Sequence, residues 1–337
     1  TFRKAPKFFD VVTYTGDGVA GLTVNHSLGG TVGSMFVKCT SHADDWYVYH
    51  IETNATHSSF LNTTAAAAAN GAYWNNTAPT TTAFTVGDNA GVNASGRTYV
   101  AYLFAHNDGD GEFGPDGDQD IIKCGSYTGN GNDDGPVIDL GFEPQWLMIK
   151  NTTDADSWWM FDTMRGMAVD AIDPALWADG SNAEVSTGEP GISPTPTGFK
   201  VTTNQGFLNN NNANLIYIAI RRGPLAQPES GTEVFKPVQA VGSGAGNPAF
   251  VSTFTTDAAI FLYPNGGSSY PKISSRLTGA TFLETHSTGV EATSDFTKWD
   301  FQTGAGNGGE LSSDWSGLLW KRAPGFFDVV AYTGDGT

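Results

Sequence analysis

An all-β protein built from tandem β-sandwich units is what this sequence of 337 residues predicts, and three observations lead there. The phrase Ala-Pro-Lys-Phe-Phe-Asp-Val-Val-Thr-Tyr-Thr-Gly-Asp-Gly, from Ala5 to Gly18, returns from Ala323 to Gly336 with 12 of 14 positions identical. Self-similarity at a fixed spacing marks a chain assembled from repeated structural units. A second echo lies inside: Leu28 to His50 aligns without gaps on Leu140 to Asp162, with Met35-Phe36-Val37-Lys38 on Leu147-Met148-Ile149-Lys150 and Trp46-Tyr47 on Trp158-Trp159. The third is composition, since 42 glycines, 15% charged and 12% aromatic residues describe a turn-rich β protein with ample material for packed cores, not a helical or disordered chain.

Taken in order, residues 1–6 read as the end of a preceding unit, because their basic pair, small residue and proline recur at Arg221-Arg222-Gly223-Pro224 and Lys321-Arg322-Ala323-Pro324. Proline cannot donate to a strand ladder and makes a natural hinge between sheets. The basic pairs are expected on solvated boundaries facing an acidic neighbouring unit. Residues 7–107 form the first sandwich repeat. Its opening phrase alternates Phe9, Val11 and Thr13 with Phe8, Asp10, Val12 and Tyr14, as a strand does, and Thr-Gly-Asp-Gly closes it as a turn. The alanine-rich stretch Thr63 to Ala69 falls short of the ~12 residues a free helix needs, so it forms at most one turn. Tyr99 to Leu103 is an apolar closing strand.

Residues 108–120 read as an acidic, glycine-rich linker, and 121–224 as the second repeat. There Tyr127-Thr128-Gly129-Asn130-Gly131 restates the signature, Phe199 to Val201 and Tyr217 to Ile220 restate the last strands, and Ala171 to Trp177 is a second one-turn candidate. Residues 225–322 are a divergent third repeat that has lost the signature. It keeps strands at Phe235 to Val238, Ala259 to Tyr263 and Leu318 to Trp320, between glycine-rich loops at 242–246 and 304–309. Residues 323–337 begin a further repeat. The units are expected to be independent bodies, each with its own core, threaded like beads.

A formal charge of −18 argues against binding nucleic acid or an anionic membrane, because both depend on Lys and Arg meeting phosphate. No apolar run approaches the ~20 residues of a membrane span, so membrane insertion is not expected. Without an initial Met or a signal peptide, and with part of a repeat at each end, the sequence reads as a window from a longer polypeptide. Cys39 and Cys124 lie in different units without metal-site spacing and are expected as quiet core thiols.

The phrases Phe-Phe-Asp-Val-Val-x-Tyr-Thr-Gly, Leu140 to Lys150, Tyr99 to Ala105 and Tyr217 to Pro224 resemble repetitive proteins of marine bacteriophages, including those infecting cyanobacteria, described as tail fibres, tail adhesins or virion structural proteins. The resemblance spans nearly the whole chain and is weakest over Val238 to Asp314. It implies concanavalin-like or jelly-roll sandwich repeats, location on the virion outside the cell, and contact with other tail subunits and with a host-surface glycan or protein. It also implies homo-oligomerisation, with a trimer favoured.

Catalytic motifs are missing from the sequence: it has no metalloprotease helix, nucleophile elbow, phosphate loop or dinucleotide fingerprint. No catalytic residue is assigned and no enzyme activity is expected. Two segments bear on ligands. Asp108, Asp110 and Glu112, then Asp116, Asp118 and Asp120, offer oxygen ligands on alternate residues, as a loop wrapping Ca2+ would. Flat aromatics suit sugar binding, and if Trp46 and Trp158 fill equivalent cores, Tyr47 and Trp159 lie on the opposite face as glycan candidates. Two alternatives stay open beside the fibre reading: a secreted calcium-dependent bacterial adhesin or filament subunit, and a polysaccharide depolymerase with two carboxylates in one groove.

Overall fold

Short apolar runs bounded by Gly and Asn turns produce short strands throughout. The computed structural model describes residues 1–169, 173–185, 191–223, 226–241, 248–264, 270–294, 296–307 and 311–332. In the first unit β1 (Phe9–Thr15), β2 (Leu22–Asn25), β3 (Val32–Cys39), β4 (Trp46–His50), β5 (His57–Phe60), β6 (Ala68–Ala69), β7 (Ala83–Val86) and β8 (Thr98–Ala105) are joined by loops that carry two single helical turns, α1 (Gly71–Trp74) and α2 (Ala90–Asn93). The large sheet runs β1-β8-β3-β4-β5-β6, and β2-β7 is the opposing layer.

The second unit contains β9 (Ile122–Thr128), β10 (Val137–Asp139), β11 (Pro144–Asn151), β12 (Trp158–Asp162), β13 (Leu176–Trp177), β14 (Ile192–Thr195), β15 (Gly198–Val201), α3 (Gly206–Asn209) and β16 (Asn214–Arg221). Its large sheet runs β9-β16-β11-β12-β13, opposed by β10-β15-β14. The third contains β17 (Phe235–Gln239), β18 (Phe250–Val251), β19 (Ala258–Leu262), β20 (Lys272–Ser275), β21 (Thr281–Glu284), β22 (Ala292–Thr293), β23 (Gly304–Ala305) and β24 (Ser316–Trp320), with sheets β17-β24-β19-β20-β21-β22 and β18-β23. In every large sheet the opening strand pairs with the closing strand, which then pairs with the strand of the central hairpin. The expected boundary at Pro224 and Leu225 and the loop at 242–246 lie outside the described residues, as do parts of the stretches at 171–177 and 304–309.

The repeated Tyr-Thr-Gly phrase has a physical explanation. Tyr14 donates its hydroxyl to the carbonyl of Val92 at the end of α2, and Tyr127 does the same to Leu208 in α3. The following glycine leaves no room for a side chain: a Cβ on Gly16 would lie 2.4 Å from the Ala94 carbonyl oxygen, and one on Gly129 2.2 Å from that of Asn210. Next, the backbone N–H of Asp17 or Asn130 donates to the fully buried side chain of Asn93 or Asn209. The Asn93 amide also donates to the carbonyls of Gly87 and Val19. Replacing Asn93 by Ala is therefore expected to cost about 2–4 kcal/mol, because buried partners lose their hydrogen bonds together; urea denaturation measures it, and a loss within experimental error would contradict the role.

Each large sheet turns one face to its own small sheet. In the first unit this interior holds Met35, Val37, Tyr47, Tyr99 and Leu103 against Val24, Phe84 and Trp74. In the second it holds Leu147, Ile149, Trp159, Phe161 and Leu215 against Ile138 and Phe199, and in the third Ala259, Phe261 and Leu319 against Phe250 and Ala305.

The opposite faces overturn the bead arrangement for the first two units. Phe36, Val48 and Phe104 form one continuous buried cluster with Cys124, Met148, Trp158, Ile216 and Ile218, so the two large sheets pack back to back. Polar groups cross this seam as well. Trp158 Nε1 donates to the Phe60 carbonyl at 2.8 Å, and Lys150 Nζ to that of Thr64 at 2.9 Å. His50, 1% exposed, donates from Nε2 to the Tyr217 carbonyl and accepts the Glu52 N–H on Nδ1. Both ring nitrogens are thus satisfied in one neutral tautomer.

Three further expectations change. The alanine-rich stretch is not a helical turn: Ala68–Ala69 adds a strand to the sheet edge, and Ala67 donates to the Thr152 carbonyl across the seam. Leu176–Trp177 is likewise an edge strand. Residues 108–120 are no spacer, because Asn107 accepts the N–H groups of Ile121 and Ile122 on its side chain and closes the segment into a surface loop. Both cysteines are free and buried, Cys39 inside the first unit and Cys124 at the seam.

Candidate functional site

One arginine from each of the basic pairs at 221–222 and 321–322 converges with acids from distant strands at the junction of the second unit, the third unit and the terminal phrase. Glu143 precedes β11, Arg222 follows β16, Asp257 precedes β19, Arg276 follows β20 and Arg322 follows β24, so strand ends bring all five to one place. Arg322 grips Glu143 with Nη1 at 2.8 Å from both carboxylate oxygens, and its Nε meets Asp328 of the terminal phrase at 2.5 Å. Its backbone N–H donates to Asp257, whose other oxygen lies 2.5 Å from Arg222 Nη2. Arg276 donates to the backbone carbonyls of Trp299, Thr256 and Phe301.

Three guanidinium groups thus face three carboxylates. Burial pushes the Glu143 carboxyl up, and Arg322 offsets this only in part. Burial also pushes Arg276 down to about 10, which still leaves it charged at neutral pH. For Arg322 burial opposes the charge, but Glu143 and Asp328 outweigh it and raise the group. A cavity of about 540 Å³ adjoins the cluster, lined by Phe142, Arg221, Pro324 and Phe327 among others. Arg322→Met is expected to lower stability by about 3–5 kcal/mol, because Glu143 is left buried without its partner. Thermal denaturation checks this, with Arg322→Met/Glu143→Gln expected to recover part of the loss.

The basic pairs were legible as boundaries, and their burial varies: Arg3 and Lys4 are exposed, Arg221, Arg222 and Lys321 are half-buried, and Arg322 alone is buried. Glu143, Asp257 and Arg276 escaped the sequence reading, and no local pattern signals a partner 65 residues away, as Asp257 is from Arg322.

The residues expected to bind ligands are placed elsewhere. Tyr47 and Trp159 point into their own sandwiches, 6% and 8% exposed, which corrects their assignment as glycan platforms. Their polar atoms bond equivalent aspartates: the Tyr47 hydroxyl reaches Asp44, and Trp159 Nε1 reaches Asp156. Strand alternation separates the two residues of each pair but leaves open which face the second sheet covers. Trp158 occupies the outer face and is buried by the first unit, while Trp46 is half-buried against Tyr102.

The proposed calcium ligands do not converge either, and among the described residues no three His, Cys, Asp or Glu side chains form a metal-binding group. Asp108 pairs with Lys123, Glu112 with Lys7, and Asp120 accepts the N–H groups of Gly109 and Gly111. Asp110 accepts the Asp108 N–H, while Asp116 and Asp118 lie exposed at the loop tip. Adding EDTA is accordingly expected to leave the melting temperature unchanged, since a bound structural ion would stabilise the fold in proportion to its occupancy.

A family model described as a domain of unknown function (DUF7483) matches residues 5–224. This span takes in the first two units, the pair that shares a buried seam. No curated protein and no solved structure matches the chain.

Proposed function

We propose a structural role for this chain, which belongs to the DUF7483 family: it is a length-building segment of a repetitive virion appendage, such as a phage tail fibre. The observation that carries this reading is that the terminal phrase rebuilds the start of the chain. An Ala5–Phe9 bridge is matched by an Ala323–Phe327 bridge, and the Lys4–Asp10 ion pair at 2.6 Å by Arg322–Asp328 at 2.5 Å. Phe2 stacks on Phe9 at 5.2 Å, and Trp320 on Phe327 at 6.0 Å. A junction made twice with the same turn, ion pair and ring stack suits a protein that extends by repetition, with any affinity for a host surface arising from many copies.

Placement on the virion rests on the resemblance of the repeated phrases to marine phage tail proteins. The engaged carboxylates of residues 108–120 favour this reading over a calcium-dependent adhesin. Gold-labelled antibody against the chain is expected to decorate the tail appendages of purified particles. Bare particles, with label on filaments of the host cell surface, would overturn the virion placement.

A further inference from the structure

The cavity beside the charged junction carries a charge that its own walls do not balance. Arg221, Arg222 and Arg322 line it together with only two carboxylates, Glu143 and Asp328, so its lining is net positive in a chain of formal charge −18. Arg322 engages both lining carboxylates, and Arg222 pairs with Asp257. Arg221 is left over. Among the described residues it makes no ion pair, and its guanidinium has one hydrogen bond, from Nη1 to the Asp120 backbone carbonyl at 3.3 Å. The Asp120 carboxylate is already taken by the N–H groups of Gly109 and Gly111, and Asp118 is exposed at the loop tip. The Phe142 ring lies 5.9 Å beneath the guanidinium and holds its plane. Burial lowers this group from its ordinary value, with Asp120 and Asp118 opposing. A half-buried cation without a counter-ion is what an incoming anion would complete.

We propose that this cavity binds a sugar acid, a hexuronate or a close relative, with the ligand carboxylate on Arg221. Charge selects the anion: one surplus positive group matches a singly charged carboxylate better than a doubly charged phosphate. Geometry selects the carboxylate too, because a guanidinium with most of its five N–H donors free meets two carboxylate oxygens side by side. The rest of the wall suits a hydroxylated ring. Gln119 offers an amide, the carboxylates of Glu143 and Asp328 keep lone pairs beyond those that Arg322 takes, and Pro324, Phe326 and Phe327 supply flat apolar surface. Room and access are present. The volume of about 540 Å³ lies within the roughly 300–1,000 Å³ of small-molecule sites, a Cβ on Gly141 or Gly223 would meet no atom within 4 Å, and Phe326 and Val330 are 46% and 50% exposed.

Isothermal titration calorimetry of the full chain with sodium glucuronate tests this, with glucose as the ligand that lacks the carboxylate. Glucuronate is expected to bind at concentrations up to about 10 mM, and glucose at least about tenfold more weakly. Arg221→Gln should weaken glucuronate by at least about tenfold, because a hydrogen bond between two charged groups is lost. Phe326→Ala removes an exposed ring that belongs to no core, so it should leave circular dichroism and the melting temperature unchanged. It should still weaken glucuronate by about threefold or more, which keeps the test readable if Arg221→Gln fails to fold. No glucuronate binding in that range overturns the proposal. So does glucose binding as tightly as glucuronate, or an affinity unchanged in either folded variant. None of these outcomes depends on whether the chain resides on a virion.

Discussion

Replacing Trp158 by alanine is expected to lower the stability of the paired first and second units by about 3–5 kcal/mol and to uncouple their unfolding. The indole is 1% exposed, sits in the seam between the two large sheets and donates to the Phe60 carbonyl. Its removal leaves a cavity between two rigid surfaces that cannot collapse into it, and strands that carbonyl. Urea denaturation followed by circular dichroism should therefore show one cooperative transition for the unaltered pair and two for the variant. Trp46→Ala serves as the contrast. Trp46 holds the equivalent position in the first unit but is half-buried, so its loss should cost much less. Equal losses for the two tryptophans would mean that the seam contributes little.

Acid is expected to open the same seam through His50. Burial, reinforced by neighbouring His106, depresses this imidazole from 6.5 to about 4, against the pull of the Tyr217 carbonyl. The sign follows from linkage. The unfolded chain takes up a proton near 6.5 and the folded chain does not until about 4, so the stabilisation is complete above the first value and is lost as pH falls toward the second. The difference amounts to about 3 kcal/mol. His50→Gln keeps a neutral donor for the Tyr217 carbonyl and should flatten the stability profile across this window. Asp10 loses its contribution at lower pH: burial raises its carboxyl, but Lys4 and the N–H groups of Ser27 and Val11 outweigh that and hold it below the ordinary carboxylate range. An unchanged slope in His50→Gln would assign the acid sensitivity to other groups.

Legibility differed between the fold and the candidate site. The gap-free echo of Leu28–His50 in Leu140–Asp162 was legible because a strand hairpin is a local object. Its copies occupy matching positions, Val32–Cys39 with Pro144–Asn151 and Trp46–His50 with Trp158–Asp162. The third unit lost the signature phrase yet repeats the strand order, with Phe261, Leu319 and Phe250 facing inward in one buried core with Phe296, Trp299 and Trp315. The charged junction was half legible. Arg222 and Arg322 stand in a repeated local pattern, whereas Glu143, Asp257 and Arg276 reach them only through the packing of separate units.

Taken by itself, the sequence determined that the chain is all-β and repetitive and where the strands of its repeated phrases run and turn, because alternation, glycine turns and repeated phrases act over a few residues. The tertiary structure alone decided which face of each large sheet is inside. Alternation divides Trp46 from Tyr47 and Trp158 from Trp159, but both faces of these sheets are apolar, one for the sandwich core and one for the seam. When hydrophobic residues line both sides of a strand, local pattern carries no sign for inside, and the choice falls to the surface that arrives to cover it.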